Sequence, residues 1–286
     1  MITETVAGIE YQKPKVILLN ETGITSAEIA ARTCYDSFAN SEDEFVRNFP
    51  ANFEDPDLLH TSEHEMEESG LLHDLAWTYH HHSILEHASL TYYISGTSRG
   101  VLQEHARHRI QAISVRSTRY TMSDILYAFI ASQRDPNPKS WFIQKVTEFD
   151  MFVVTGQEQM LEASHMYEKL LHQQIKLGSL AFLNLCLSKS NLETYNSINS
   201  SSASLVFETL QQGKTKRNVG DSFKWLVTDN WKVDLVVTFN LRSLKNYFDL
   251  RDSGAAWFQI QWLAEEMKKV TPVKYLKLID KEYRND

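Results

Sequence analysis

Between Arg99 and Arg119 this chain carries five arginines and two histidines against one acid, Glu104. The whole chain of 286 residues has a formal net charge of -8. A cationic run of that density on an acidic protein constrains the fold more than any other stretch. It reads as the wall of a pocket for an anion rather than as a solvated face. Planar guanidinium forks match phosphate geometry in a way that the ammonium of lysine does not.

The remaining bounds are looser. A length of 286 residues is compatible with one domain, and 42% hydrophobic content supports a sizeable core. The two cysteines, Cys34 and Cys186, are far apart and in no CxxC context, which favours a reducing, cytoplasmic setting over a disulfide scaffold. No basic region followed by a long apolar run marks a signal peptide, and no run of about 18 apolar residues spans a membrane. The acidic balance argues against broad nucleic-acid binding, which needs a basic face.

Along the chain, residues 14–19 read as a strand and 26–38 as a helix with Ser26 as its N-cap. Residues 40–70 form an acidic, irregular excursion, read as a solvated surface insertion that Gly70 closes. Leu72, Leu75, Ala76 and Tyr79 share a face of a helix over 71–80. Residues 88–95 alternate as a strand, and Thr97 or Ser98 caps a helix to about His105, placing Arg107 near its C-terminal end. Residues 141–188 are the longest helical region, with a break near Gly156. The stretch 189–218 is a connection, 221–228 a short helix and 231–239 a strand. Residues 242–250 and 255–269 are helices. The fold class is α+β: one mostly helical domain over 1–286 with a small central antiparallel sheet.

Arg107-His108-Arg109, seven residues and then Ser117 resembles the hallmark of the flavin-dependent thymidylate synthases, and Ser117, Arg119 and Tyr120 extend the match. A second segment, Asn240 to Arg251, resembles that family's Asn-x-Arg-Ser-Leu-x-Asn signature. On a helix, Arg242 and Asn246 lie four apart on one face. The resemblance implies that Arg107, His108, Arg109, Asn240, Arg242 and Asn246 hold the flavin. It places Ser117, Thr118 and Arg119 on dUMP, with Arg107 shared, and Gln103 and Glu104 at the uracil. If 115–119 is extended, Ser117 and Arg119 point the same way. Lys224 stands where the family commonly has an arginine for the dUMP phosphate, and Arg251 approaches the uracil as the catalytic residue.

Three adjacent histidines, His80 to His82, invite a metal reading. They cannot all point one way, and no HExxH occurs, so no metal is expected. The family's His, five residues, His pattern fits better, as His81 and His87, and implies that His81 and Ser83 lie at the flavin. Two departures stand out. Ser114-Val115 replaces the usual Asn-Glu, and the histidine expected shortly after Arg251 is missing.

The resemblance implies an enzyme that converts dUMP to dTMP. Methylenetetrahydrofolate would give the carbon, NADPH the hydride, and FAD would carry it. It also implies a homotetramer with active sites shared between subunits. The classical alternative attacks uracil with a cysteine, but neither Cys34 nor Cys186 has a cationic setting. The competing readings are a nucleotide- or nucleic-acid-binding protein without catalysis, and a zinc hydrolase. A yellow protein with a flavin spectrum separates the synthase from both.

Overall fold

The computed structural model describes residues 2–51, 64–119, 150, 152–155 and 229–284. These residues group into two compact units. The first comprises Met1–Lys13, Ser98–Gly100 and Arg116–Val233; the second comprises Pro14–Thr97, Val101–Val115 and Asp234–Asp286.

In the first unit, β1 (Thr3–Val6) and β2 (Ile9–Gln12) pair as an antiparallel hairpin. Ala7 and Gly8 form its two-residue turn with φ of 52° and 83°. Positive φ at both central residues is what a tight hairpin turn demands, and Gly8 supplies one of them without a Cβ penalty. Phe152 bridges Trp231 and Val154 bridges Tyr11, both antiparallel. Residues 152–154 are therefore extended where the sequence reading had helix. The buried Phe152 and Val153 are apolar and β-prone, which suits that extended backbone. The rest of the expected helical region, the connection over 189–218 and the short helix over 221–228 lie outside the described residues.

The second unit is built on a four-stranded sheet ordered β3-β4-β6-β5, with β3 at Lys15–Glu21, β4 at Ser89–Ser98, β5 at Ala112–Val115 and β6 at Lys232–Asn240. β3 pairs antiparallel with β4, and β5 with β6. Thr91 meets Thr238 and Ser95 meets Asp234, so β4 and β6 are antiparallel too. One small sheet was expected; the described residues hold two, both antiparallel. Period-two alternation turns Leu90, Tyr92, Ile94, Leu235, Val237 and Phe239 to one side, where they are buried.

Helices α1 (Thr25–Tyr35), α2 (Glu44–Asn48), α3 (Gly70–Trp77), α4 (Arg99–His105), α5 (Leu241–Arg251), α6 (Phe258–Val270) and α7 (Val273–Ile279) accompany the sheets. Leu72, Leu75, Leu244, Tyr247, Ile260, Leu263, Tyr275 and Ile279 join the sheet residues in one core. Leu263 on α6 is fully buried, so Leu263→Ala is expected to destabilise the protein by about 2–5 kcal/mol. A shift of the urea midpoint checks this; a midpoint within error of wild type contradicts the assignment.

Several expectations need correction. Ser26 does not cap α1; the N-cap is Ile24, and Ser26 Oγ instead donates to the His87 carbonyl at 3.0 Å. Helix α3 stops at Trp77, leaving Tyr79 61% exposed, because His80 takes a positive φ of 55° that ends regular helix. β4 runs on to Ser98, so Thr97 is a strand residue, and Ser98, directly before Arg99, stands at the N-cap position of α4. Gly70 opens α3 behind the Ser69 cap. The acidic excursion is not all solvated. Val46 and Met66 are buried, and Glu28 on α1 accepts hydrogen bonds from Arg32, Ser41 and Ser69. Helix α7, led in by Pro272, had no counterpart in the sequence reading. Among the described residues, no helix is long and apolar enough to cross a membrane.

Candidate functional site

The chain leaves α4 at His105 through a tight turn in which Arg107 N–H donates to Glu104 O and His108 N–H to His105 O. The following residues run into β5. Facing them is α5, which starts cleanly because Asn240 Oδ1 accepts the Ser243 N–H at 2.8 Å. That helix buries Leu241, Leu244, Tyr247 and Phe248 and leaves Arg242 and Asn246 exposed. Between the two segments lies a cleft of about 960 Å³. Arg107, His108, Arg109 and Ile110 line one wall; Arg242, Lys245, Asn246, Asp249, Leu250 and Arg251 line the other. Four arginines and one lysine thus line the cleft with a single carboxylate, Asp249.

The cleft contains a fixed guanidinium. Arg251 Nη1 pairs with Glu104 Oε2 at 2.9 Å, and its Nη2 donates to the Glu104 carbonyl at 3.3 Å. Its Nε donates to His108 Nε2 at 2.9 Å. Accepting on Nε2 requires a neutral His108 with its proton on Nδ1. Burial, then Arg251 and Arg107, pull the His108 pKa down to about 4, which keeps it neutral. Behind it, His105 is fully buried and contacts the Tyr247 hydroxyl through Nδ1 at 3.2 Å. Burial first, then His108 and Arg251, lower its pKa to about 3. Burial pushes the Tyr247 phenol upward. The Tyr247 ring packs edge-on against both imidazoles, with centroids 5.1 Å from His105 and 4.8 Å from His108.

These two histidines imply a pH dependence. Both titrate near 6.5 when unfolded and far lower when folded. Between those values the unfolded chain binds more protons, so stability rises with pH there. Their contribution is present above about pH 6.5 and is lost as pH falls toward 4 and then 3. Urea midpoints from pH 7 to 4.5 are expected to fall more steeply in wild type than in His105→Gln. Parallel profiles would remove His105 from this linkage.

The structure gathers Arg107, His108, Arg109, Arg242, Asn246 and Arg251 around the cleft. Glu104 is recruited as the partner of Arg251. Asn240 acts as a helix cap. Arg242 also meets Glu86 in an ion pair whose members are 53% and 44% exposed. His81 and Ser83 line an adjoining cavity of about 350 Å³ that shares His82 and Arg242 with the cleft. Gln103 is exposed on α4. Ser117, Thr118 and Arg119 belong to the first unit, and Lys224 lies outside the described residues. The extended reading of 115–119 needs correction: Thr118 and Arg119 are already helical, following Ser117, a residue type that favours helix starts. Val115 and Ser114, the departures from the family pattern, are β5 residues paired with Leu235 and Val236.

Sequence reasoning missed Lys245, Ile110 and Leu250. Lys245 sits 3.6 Å above the Trp77 ring, and burial lowers its pKa. It lay inside the motif, three residues after Arg242, so helical spacing alone could have flagged it. Ile110 and Leu250 are 68% and 53% exposed in a cationic cleft. The adjacent histidines diverge: His82 Nε2 bonds the Ala76 carbonyl at 3.0 Å while His81 bonds Tyr35. Among the described residues, the carboxylates of Asp252, Asp280 and Glu282 also cluster, but Lys268 already bridges Asp252 and Asp280.

The family model described as thymidylate synthase complementing protein matches residues 16–273. The flavin-dependent thymidylate synthase of Helicobacter pylori strain J99 is 27% identical over 266 residues, 93% of this chain and 97% of that one. Its namesake in Wolinella succinogenes is 26% identical over 260 residues, 91% of this chain and 94% of that one. Among solved structures, thymidylate synthase X (ThyX) from Helicobacter pylori with FAD and dUMP superposes with a TM-score of 0.56 at 22% identity. That superposition covers 96% of this chain and 100% of the other.

Proposed function

The chain belongs to the thymidylate synthase complementing protein family, and from that premise we propose that it is a flavin-dependent thymidylate synthase converting dUMP to dTMP. The observation that carries this reading is the cationic cleft with Arg251 clamped in its wall by Glu104 and His108.

The residues fit FAD. Arg107 and Arg109 face Arg242 across the cleft, an arrangement suited to a pyrophosphate. Ile110 and Leu250 offer apolar surface for a flat ring. When bound, the flavin supplies the redox chemistry, with NADPH as reductant and methylenetetrahydrofolate as carbon donor. The chain's own part is binding and electrostatics. Carbon 5 of uracil becomes a better nucleophile when negative charge on the ring is stabilised. A guanidinium already held by two partners supplies that stabilisation with little reorganisation. Glu104 and His108 hold Arg251 in place, and His108, being neutral, adds no competing positive charge.

By the family resemblance, Gln103, Ser117, Thr118, Arg119 and Lys224 meet dUMP, and His81, Ser83, Asn240 and Asn246 meet the flavin. The same resemblance supports a cytoplasmic homotetramer whose active sites draw on more than one subunit. The test of the cofactor is direct. The protein is purified, denatured and any released chromophore identified. FAD release, or FAD uptake on reconstitution, is expected; failure of both ends this reading.

A further inference from the structure

Next to the main cleft, Tyr35 and His81 are joined in a way that the flavin reading does not use. Tyr35 is the last residue of α1, and the left-handed Asp36 that follows caps the helix with its N–H on Arg32 O and Thr33 O. His81 is anchored by its own N–H, which donates to Leu75 O at 2.8 Å. The Tyr35 hydroxyl bonds His81 Nδ1, and the two rings lie end to end, with 10° between their planes and centroids 6.3 Å apart. Both side chains line the cavity of about 350 Å³ together with Cys34, Ser83 and Arg242.

A neutral imidazole has one donor and one acceptor nitrogen, and the bond made by one fixes the other. Two proton arrangements satisfy the Tyr35–His81 contact. In one, the phenol donates to a lone pair on Nδ1; in the other, Nδ1–H donates to the phenol oxygen. A phenol is the better donor of the two groups, and an imidazole nitrogen the better acceptor, so the first arrangement wins.

We infer that Tyr35 is a positioning residue for His81: its hydroxyl donates to Nδ1, fixes the ring proton on Nε2, and makes His81 a hydrogen-bond donor to a ligand. The ligand takes that donor through an acceptor atom, a carbonyl oxygen or ring nitrogen of a planar heterocycle. Identifying this heterocycle as the flavin rests on the proposed function; the tautomer does not.

The test uses full-length protein labelled with ¹⁵N in its histidines, with the His81 signals identified by their loss in His81→Gln. Wild type is expected to show Nε2 protonated and Nδ1 unprotonated. Tyr35→Phe, which keeps the ring at the end of α1 and removes only the hydroxyl, is expected to give a mixture of tautomers. It should also weaken FAD binding about 3- to 10-fold, the scale of one neutral hydrogen bond. A wild-type His81 protonated on Nδ1 overturns the inference whether or not the variant folds. So does a Tyr35→Phe protein with the tautomer unchanged. A relaxed tautomer beside unchanged FAD affinity overturns the claim that the donor serves the ligand. The tautomer is read without flavin, so a protein that takes up no FAD sinks the functional reading alone.

Discussion

Arg251→Ala is expected to lower dTMP formation by about 100-fold or more, the loss seen when one fixed donor to a developing negative charge is removed. Arg251 is the last residue of α5, and its backbone belongs to a capped helix end, so the variant should fold. The substitution strips a partner from Glu104 and from His108, and the resulting local change must be separated from catalysis. Arg251→Lys serves that purpose. An ammonium keeps the charge but is a single point, and it cannot meet Glu104 Oε2 and His108 Nε2 with the geometry of a guanidinium fork. Both variants should lose kcat together with kcat/KM, the pattern of an interaction made mainly in the transition state. FAD titration by flavin fluorescence should change little in Arg251→Lys. A lysine variant with near-normal turnover would remove the fork geometry from the account, and an active alanine variant would remove Arg251 from catalysis.

The second large effect concerns the cofactor. Arg107→Ala and Arg242→Ala are each expected to weaken FAD binding by about 10- to 150-fold, from about 1.5–3 kcal/mol per charged hydrogen bond. Arg242 at first looks committed to Glu86. That pair is about half exposed on both sides, and exposed pairs contribute only about 0–1 kcal/mol. Arg242 can therefore leave Glu86 for a phosphate oxygen at small cost. It follows that Glu86→Gln should leave FAD affinity intact or slightly improved. The two arginines stand on opposite walls of the cleft and, among the described residues, bond no common residue. Their effects on affinity should therefore add to within a few tenths of a kcal/mol unless they share one phosphate. Equilibrium dialysis against FAD measures each. Losses below about twofold for both variants would place the pyrophosphate elsewhere.

What the sequence made legible follows from range. The cationic run and the Asn240–Arg251 segment are local patterns; the first was readable from residue type, the second through its resemblance to a family signature. Strands β4 and β6 announced themselves by β-prone alternation, β3 by a short apolar run, and α5 by its period. The clamp on Arg251 was not legible, because Arg251 is separated from His108 by 143 positions and from Glu104 by 147. The resemblance puts Glu104 and His108 at a ligand; the fold adds a contact of each with Arg251. The exposure of Tyr79 was hidden because His80 takes a backbone conformation unusual for a histidine. The hairpin β1–β2 carried a weak signal, Ala7-Gly8 between two alternating runs, and alanine is a poor advertisement for positive φ. Tyr35 and His81 were beyond reach for the same reason as the clamp: only the packed fold sets the end of α1 beside His81.

The most direct measurement is the reaction itself. Purified protein reconstituted with FAD is incubated with dUMP, methylenetetrahydrofolate and NADPH, and the nucleotides are separated and quantified. The account predicts dTMP in excess over enzyme when all components are present. It predicts none when FAD, the folate or NADPH is left out, and almost none with Arg251→Ala. Full recovery of dUMP from a complete mixture in which FAD is demonstrably bound would contradict it.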